Sequence, residues 1–171
     1  MYEIGLFGLA FLIRVLNLKL LPIIHDEAAW TFNALHNFDR FMGIPVSCFK
    51  GYLQPFFSYL VYFSSKVFTA PELILRMPAV VVGSATVVLV YVIGKEMYGK
   101  LTGLFSALLL CLLPWHVIQS RVGVSLILTP LFGCLIFLSL YRSIIKKSSF
   151  WFFLAWIFLG VGSFYTYQNS L

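Results

Sequence analysis

Acidic residues are scarce in this sequence, which has six Asp and Glu in 171 residues and only 11% charged residues. Soluble domains typically have about 25% charged residues. The hydrophobic fraction is 61%, and the mean hydropathy is +0.95. A chain this apolar cannot cover its surface with polar groups, so its composition excludes an ordinary soluble domain and indicates that lipid is its solvent.

Cysteine frameworks and common catalytic motifs are also missing. The three cysteines form no CxxC pair and no even-numbered set, so they support neither a disulfide scaffold nor a zinc site. HExxH, P-loop and GxGxxG motifs do not occur. His25, Asp26 and Glu27 are contiguous, and adjacent residues on a helix do not share a face. We therefore expect no metal and no cofactor.

The net charge of +6 comes from dispersed basic residues and not from a Lys/Arg-rich run interleaved with aromatic residues. This distribution argues against nucleic acid as a partner. It favours membrane lipid as the surrounding medium, with basic residues acting as topology determinants and phosphate contacts. A cleavable signal peptide is not indicated, because the N-terminus lacks a basic start and its apolar run continues past Arg14.

Apolar runs of roughly the length that a membrane-crossing helix needs recur along the chain. They predict about five transmembrane helices, at about residues 4–24, 75–94, 101–118, 124–141 and 150–167. The last four runs are joined by short connections, which predict antiparallel neighbouring helices. The sequence therefore predicts an all-α polytopic membrane protein.

The long connection 25–74 is predicted to form two interfacial helices. In the first, Asp26 to Asn37, polar residues recur at helical spacing opposite Ala28, Phe32 and Leu35, as expected of an amphipathic surface helix. A segment with glycine and proline interrupts it. The second helix, residues 55–68, is aromatic and apolar, with its rings at headgroup level.

Basic residues in short loops predict the orientation of the chain. The KEMYGK and RSIIKKSS connections lie on one side if the spans alternate, so we expect that side and the N-terminus to be cytoplasmic. Connection 25–74 and the QSRVG loop are then exoplasmic. Because the chain stops directly after the fifth run, we expect it to be the N-terminal part of a longer protein; a small five-span protein is the alternative.

Adjacent carboxylates, Asp26 and Glu27, follow the first run, where a helix should emerge into water. They could cap a helix, or Asp26 could act as a general base. Arg121 could anchor the QSRVG loop at the headgroups or hold a phosphate. His116 lies near the end of the third run and could be packed, capping or catalytic.

Further candidates for substrate binding come from the exoplasmic loop and its end. Arg76 opens the second run, where it could also be an interface anchor. Lys50 and Gln54 flank GYL and could hydrogen-bond a sugar or phosphate, although loop polarity alone explains them. Trp30 shares the helical spacing of Asp26 on the first loop helix.

Four segments follow one another at regular intervals: DEA after the first run, GYLQPFFSYL, RMPAVVVGSATVVLVYVIGKEMYG and LFSALLLCLLPWHVIQSR. In this order the sequence resembles the N-terminal part of the GT-C membrane glycosyltransferases, in particular the dolichyl-phosphate-mannose–protein mannosyltransferases and the lipid A aminoarabinose transferases. The resemblance implies a GT-C type fold and transfer of a sugar, with inversion, from a polyprenyl-phosphate donor. The acceptor would be a glycan, lipid or protein, and the active site would face the exoplasmic side of, we expect, the plasma membrane.

The resemblance also implies roles for individual residues. Asp26 matches the catalytic carboxylate of the DE pair, and Glu27 its supporting neighbour. Arg121 matches the basic residue of the SR pair in the lipid-phosphate region. Arg76 matches the RMP pattern by position. Some members have a lysine where this sequence has Gln54, which puts a phosphate contact there in doubt.

Two functions of other classes are compatible with the same residues. A transporter or flippase for lipid-linked glycans would use Asp26 and Arg121 to bind or gate a charged substrate. A non-catalytic membrane subunit would use its surface helices to dock a partner. We expect the glycosyltransferase, because the resemblance covers nearly the whole chain. In the chemistry that it implies, phosphate is a competent leaving group and one carboxylate suffices as base.

Overall fold

The computed structural model describes residues 2–16, 18, 27 and 55–165. Within these residues the regular elements are all helical, which confirms the expected all-α membrane fold. We number the longer helices in chain order: α1 Tyr2–Val15, α2 Pro55–Ser65, α3 Pro71–Tyr98, α4 Lys100–Leu112, α5 Pro114–Arg121, α6 Leu128–Lys146 and α7 Ser149–Tyr165. A 3₁₀ turn, Ser125–Ile127, precedes α6.

Helix α3 is the centre of the bundle and packs against α1, α2, α4, α5 and α6. Pro71 lies in its first turn, where a backbone N–H has no partner inside the helix. The helix has 28 residues, which corresponds to about 42 Å and extends the predicted run 75–94 at both ends. That length matches the about 40–45 Å of a bilayer with its headgroup regions.

Two apolar clusters hold the other helices against α3. One joins α2, the 3₁₀ turn and α6 to the first half of α3; its buried members are Phe57, Val61, Ile74, Leu75, Ala79, Val82, Ile127, Leu128 and Phe132. The other joins α1 and α4 to the second half of α3; its buried members are Leu6, Ala10, Val87, Tyr91, Ala107 and Cys111. Each half of α3 therefore contacts a different set of helices.

Helices α3 and α4 are separated by one residue, Gly99, whose φ of 97° lies in a region that side chains disfavour. Most of the KEMYGK connection is therefore helical. The two helices then pack closely through Gly94 and Gly103. A Cβ added to Gly103 would lie 2.6 Å from the carbonyl oxygen of Tyr91 and 2.7 Å from the backbone nitrogen of Lys95.

We expect Gly103→Ala to separate α3 from α4, because the added methyl group meets backbone atoms that cannot move independently. Overpacking of this kind costs about 1–3 kcal/mol. The matched control is Gly133→Ala on α6, where an added Cβ meets nothing within 4 Å. Thermal unfolding in detergent should show a lower midpoint for Gly103→Ala and an equal or higher one for the control. Equal midpoints for both variants would contradict the close packing.

The stretch predicted as one span at 101–118 consists of two helices. Helix α4 ends at Leu112, α5 begins at Pro114, and the two are bent by 60°. Proline lacks a backbone N–H and disfavours helical geometry in the residue before it. Leu113 accordingly has extended geometry, with φ of −62° and ψ of 115°. The bend directs α5 across α1 and α3.

Among the described residues, two helical segments are long and apolar enough to cross a membrane, Pro71–Tyr98 and Ser125–Lys146. The bent pair α4–α5 qualifies if it is taken as one span, and Ser149–Gly162 is a shorter apolar helix. The count of about five spans stays a prediction, as does the assignment of residues 1–171 to the N-terminal part of a GT-C domain. The first predicted loop helix, 26–37, lies outside the described residues except for Glu27.

Ion pairs bring three chain segments together at one end of the bundle. Lys95 Nζ lies 3.2 Å from Glu3 Oε1, which joins the end of α3 to the start of α1. Glu96 forms an ion pair with Arg142 near the end of α6. The Arg142 guanidinium also stacks on the Trp151 ring of α7, 4.7 Å from its centroid. The two basic connections and the start of α1 therefore share this end, and the candidate site lies at the other.

Candidate functional site

Glu27 is the anchor of the candidate site. It is fully buried, and its carboxylate forms a bidentate ion pair with the equally buried Arg76 of α3. Nε and Nη2 of Arg76 donate to separate carboxylate oxygens, each at 2.9 Å. Charge-assisted bonds of this kind are roughly twice as strong as bonds between neutral groups. The pair therefore attaches Glu27 firmly to α3.

The same arginine also contacts the segment after α1. Nη1 of Arg76 donates to the carbonyl oxygen of Leu18 at 2.6 Å. One guanidinium, that of Arg76, therefore binds both Glu27 and the backbone at Leu18. The proposed role of Arg76 in substrate binding stays a prediction, and its contacts here join Glu27 and Leu18 to α3.

A third segment reaches Glu27 from the loop after α5. The backbone N–H of Gly123 donates to Oε1 of Glu27 at 2.7 Å. Gly123 follows Arg121 by two residues, so the SR segment and the DE segment meet at this carboxylate. Residues 96 positions apart in sequence are joined here by one hydrogen bond.

Arg121 ends α5 and is half-buried at the same end of the bundle. Its Nη2 donates to the carbonyl oxygen of Leu16, at 2.8 Å, just beyond the end of α1. This places a guanidinium beside the C-terminal end of α1. Guanidinium groups bind phosphate through paired N–H donors, so this position suits an anion at the membrane surface.

A second buried arginine, Arg14 of α1, also binds α5. Its Nε donates to Ser120 Oγ at 2.9 Å, and its Nη2 lies 2.8 Å from His116 Nδ1. Its Nη1 donates to the carbonyl oxygen of Ala10 at 2.9 Å and contacts Cys111 Sγ at 3.9 Å. The hydroxyl of Ser120 in turn donates to the backbone carbonyl of His116. These bonds fix α5 against α1.

The close approach of α3 to α5 at this point depends on Gly83. A Cβ at Gly83 would lie 2.5 Å from Ser120 Cβ and 3.3 Å from Arg14 Nε. A larger residue would displace the Ser120 hydroxyl and the Arg14 guanidinium together. The contacts of Arg14 with Ser120 therefore require glycine at position 83.

Several predicted site residues lie outside the described residues: Asp26, Trp30, Lys50 and Gln54. Their roles stay predictions. Among the described candidates, the structure joins Glu27 to Arg76 and to the loop after Arg121, whereas His116 contacts Arg14. Within the described part of the chain, no three His, Cys, Asp or Glu side chains form a group that could hold a metal ion.

The partners of Glu27 and Arg14 cannot be identified from the sequence alone. An arginine within an apolar run indicates a buried partner, because such a charge is costly unless it faces protein. The sequence does not say which neighbours satisfy it. Arg14 binds residues 97 to 106 positions away, and no pattern in the sequence links positions so far apart.

Comparison with known families gives a match to a family of membrane enzymes. A family model described as dolichyl-phosphate-mannose-protein mannosyltransferase matches residues 53–170. No curated protein and no solved structure matches the chain. The matched range covers α2 to α7 and includes Arg76, His116 and Arg121.

Proposed function

This chain belongs to the dolichyl-phosphate-mannose-protein mannosyltransferase family, and from that premise we propose that it transfers a sugar from a polyprenyl-phosphate donor to an exoplasmic acceptor hydroxyl. It is a membrane glycosyltransferase of the mannosyltransferase type. The apolar helices around α3 provide surfaces along which a polyprenyl tail can lie.

The proposed reaction is a single displacement at the anomeric carbon. The acceptor oxygen forms the new bond as the bond from that carbon to the phosphate oxygen breaks, and the phosphate keeps the bonding electrons. The acceptor proton passes to the Asp26 carboxylate, which acts as general base. Arg121 stabilises the charge that develops on the phosphate. Attack from the face opposite the leaving group inverts the configuration.

The hydrogen bond between Gly123 and Glu27 is the observation that carries this proposal. It holds the loop that follows Arg121 against the residue that follows Asp26, at 2.7 Å. The peptide bond between Asp26 and Glu27 restrains the first of these residues once the second is anchored. The general base, Asp26, and the group that stabilises the leaving phosphate, Arg121, then belong to segments at the same end of the bundle. A displacement reaction requires both groups near one substrate.

Glu27 has a supporting role in this scheme. Its two carboxylate oxygens already accept hydrogen bonds from Arg76, and one of them also accepts the Gly123 N–H. A carboxylate stabilised as an anion by these donors is a poor proton acceptor. Glu27 therefore positions its neighbour and the α5–α6 loop, while Asp26 takes the proton.

The orientation of the protein is part of the proposal. The ion pairs at the opposite end gather Lys95, Arg142 and the start of α1. Basic residues in short connections favour the cytoplasmic side. The end with Glu27, Arg76 and Arg121 would then be exoplasmic, in an integral membrane protein of the plasma membrane.

The proposed function is tested with the complete protein reconstituted in lipid vesicles. The donor is a polyprenyl-phosphate sugar labelled in the sugar, supplied with candidate protein, glycan and lipid acceptors. We expect the label to become covalently bound to an acceptor, with release of polyprenyl phosphate and with the anomeric configuration inverted. Protein-free vesicles are the control. Movement of intact donor across the bilayer without a covalent product would contradict the proposal and favour the transporter.

A further inference from the structure

The guanidinium of Arg14 carries a charge that the described residues do not neutralise. It is fully buried, and its contacts with described residues are to neutral groups, namely a hydroxyl, a carbonyl, an imidazole and a thiol. Within residues 2–16, 18, 27 and 55–165 no carboxylate forms an ion pair with it. A guanidinium is not deprotonated in proteins, so the positive charge persists among apolar helices.

Arg14 determines the tautomer of His116. A guanidinium has only donors, so Nδ1 of His116, 2.8 Å from Arg14 Nη2, must accept. A neutral imidazole that accepts at Nδ1 carries its proton at Nε2. Donation from a cation to Nδ1 draws electron density from the ring. The Nε2–H group becomes a more strongly polarised donor.

The Nε2–H group of His116 lacks an acceptor in the part of the chain that the structure describes. The side chain is 5% exposed, so water does not readily compensate. A buried donor without an acceptor is costly, and such groups in native proteins call for an explanation. A ligand that supplies an oxygen acceptor would remove this cost.

We propose that Arg14 is a positioning residue of the transferase that holds His116 as the Nε2–H tautomer, and that this N–H donates to an anionic phosphate oxygen of the sugar donor. An anionic acceptor fits best, because it also balances the charge of Arg14. The inference rests on the proposed function, whose donor contains such a phosphate. It adds Arg14, which the sequence analysis did not place in the site.

His116 and Arg121 both lie on α5, so the position of this helix determines the position of both groups. They are five residues apart, which corresponds to about 7.5 Å along the helix axis and about 140° around it. Ser120 lies between them and is bound by Arg14 Nε. Displacement of α5 would therefore move both groups, whereas a change in the His116 ring alone would leave Arg121 in place.

The first test measures the tautomer without reference to activity. The complete protein is labelled with ¹⁵N-histidine in lipid nanodiscs, and the His116 signals are identified by their loss in His116→Gln. We expect an unprotonated Nδ1 and a protonated Nε2 in the wild type, and a mixture of tautomers in Arg14→Met. Cys111→Ala, which removes the weak Sγ contact, should leave the signals unchanged. An unchanged tautomer in folded Arg14→Met would overturn the positioning role.

The second test compares kinetics with the polyprenyl-phosphate sugar. His116→Phe keeps a ring but removes the donor, and it should lower kcat/KM by about 10- to 100-fold, as expected for one lost hydrogen bond to a charged group. His116→Gln places an amide N–H near the position of Nε2 and should restore much of the activity. Arg14→Met combined with His116→Phe should be no worse than the more impaired single variant, because both remove one interaction.

The outcomes separate this inference from the proposed function. If the wild type yields no glycosylated product, the transferase proposal fails, and the tautomer measurement still decides the role of Arg14. If the wild type is active but His116→Phe keeps the wild-type kcat/KM, the phosphate contact is wrong. Additive losses in the double variant would overturn the coupling of Arg14 to His116. Arg14→Lys, which keeps the charge, provides a folded comparison if Arg14→Met is unstable.

Discussion

Asp26→Asn is expected to lower kcat by about 10²- to 10⁴-fold, the contribution typical of a positioned general base. The amide has nearly the size of the carboxylate but cannot take the acceptor proton. The anchor next to it, formed by Glu27 with Arg76 and Gly123, keeps its charges and hydrogen bonds. Donor binding should therefore change little, and initial rates of product formation at saturating donor give the measurement.

The matched control removes a carboxylate at the opposite end of the bundle. Glu3→Gln breaks the partly exposed pair with Lys95, whose Nζ lies 3.2 Å from Glu3 Oε1. Exposed pairs contribute little to stability, and this one is remote from the site, so kcat should stay near the wild-type value. Equal turnover by Asp26→Asn and the wild type would remove Asp26 from the mechanism.

Breaking the Glu27–Arg76 pair should have the largest effect on stability. Arg76→Met leaves the Glu27 carboxylate buried without its guanidinium, and Glu27→Leu leaves the guanidinium without its carboxylate. Loss of one partner of a buried pair costs about 3–5 kcal/mol. The double variant Glu27→Leu/Arg76→Met removes both charges and should recover most of that loss. Chemical denaturation of the detergent-solubilised protein measures the free energies of unfolding.

The double variant also separates stability from positioning. It lacks the acceptor for the Gly123 N–H and the donor to the Leu18 carbonyl. We therefore expect a folded protein with low turnover, because the DE and SR segments are no longer joined. A folded double variant with full activity would show that the pair serves stability alone. Single variants as stable as the wild type would contradict the burial of the pair.

The helical architecture was predictable from the sequence because apolar runs of span length have few alternatives in lipid. For the turn at Gly99 and the bend at Pro114, the sequence shows a glycine and a proline but does not indicate the geometry. A proline near the end of a run is compatible with a straight span, a kink or a new helix. The packing of α5 against α1 and α3 decides among these, and packing is not encoded in local propensity.

The candidate site was predictable in its residue types and not in its contacts. Adjacent carboxylates after an apolar run marked Asp26 and Glu27, and the family resemblance gave them different roles, but the sequence did not indicate a partner for Glu27. That partner is Arg76, 49 positions further along the chain. Likewise, Arg14 was recognisable from the sequence as a charge that is unfavourable within an apolar run. Its partners Ser120 and His116 could not be predicted, because they depend on how α5 packs against α1.

The distance in sequence between Arg14 and its partners has a consequence for biogenesis. Ser120 is 106 residues downstream, so at about 5–20 residues per second a ribosome needs on the order of 5–20 s to synthesise it after Arg14. During that delay the first helix holds a cation that its own neighbours satisfy only through the Ala10 carbonyl. The contacts of α1 with α3 and α4 can therefore form before the Arg14 guanidinium has its partners on α5.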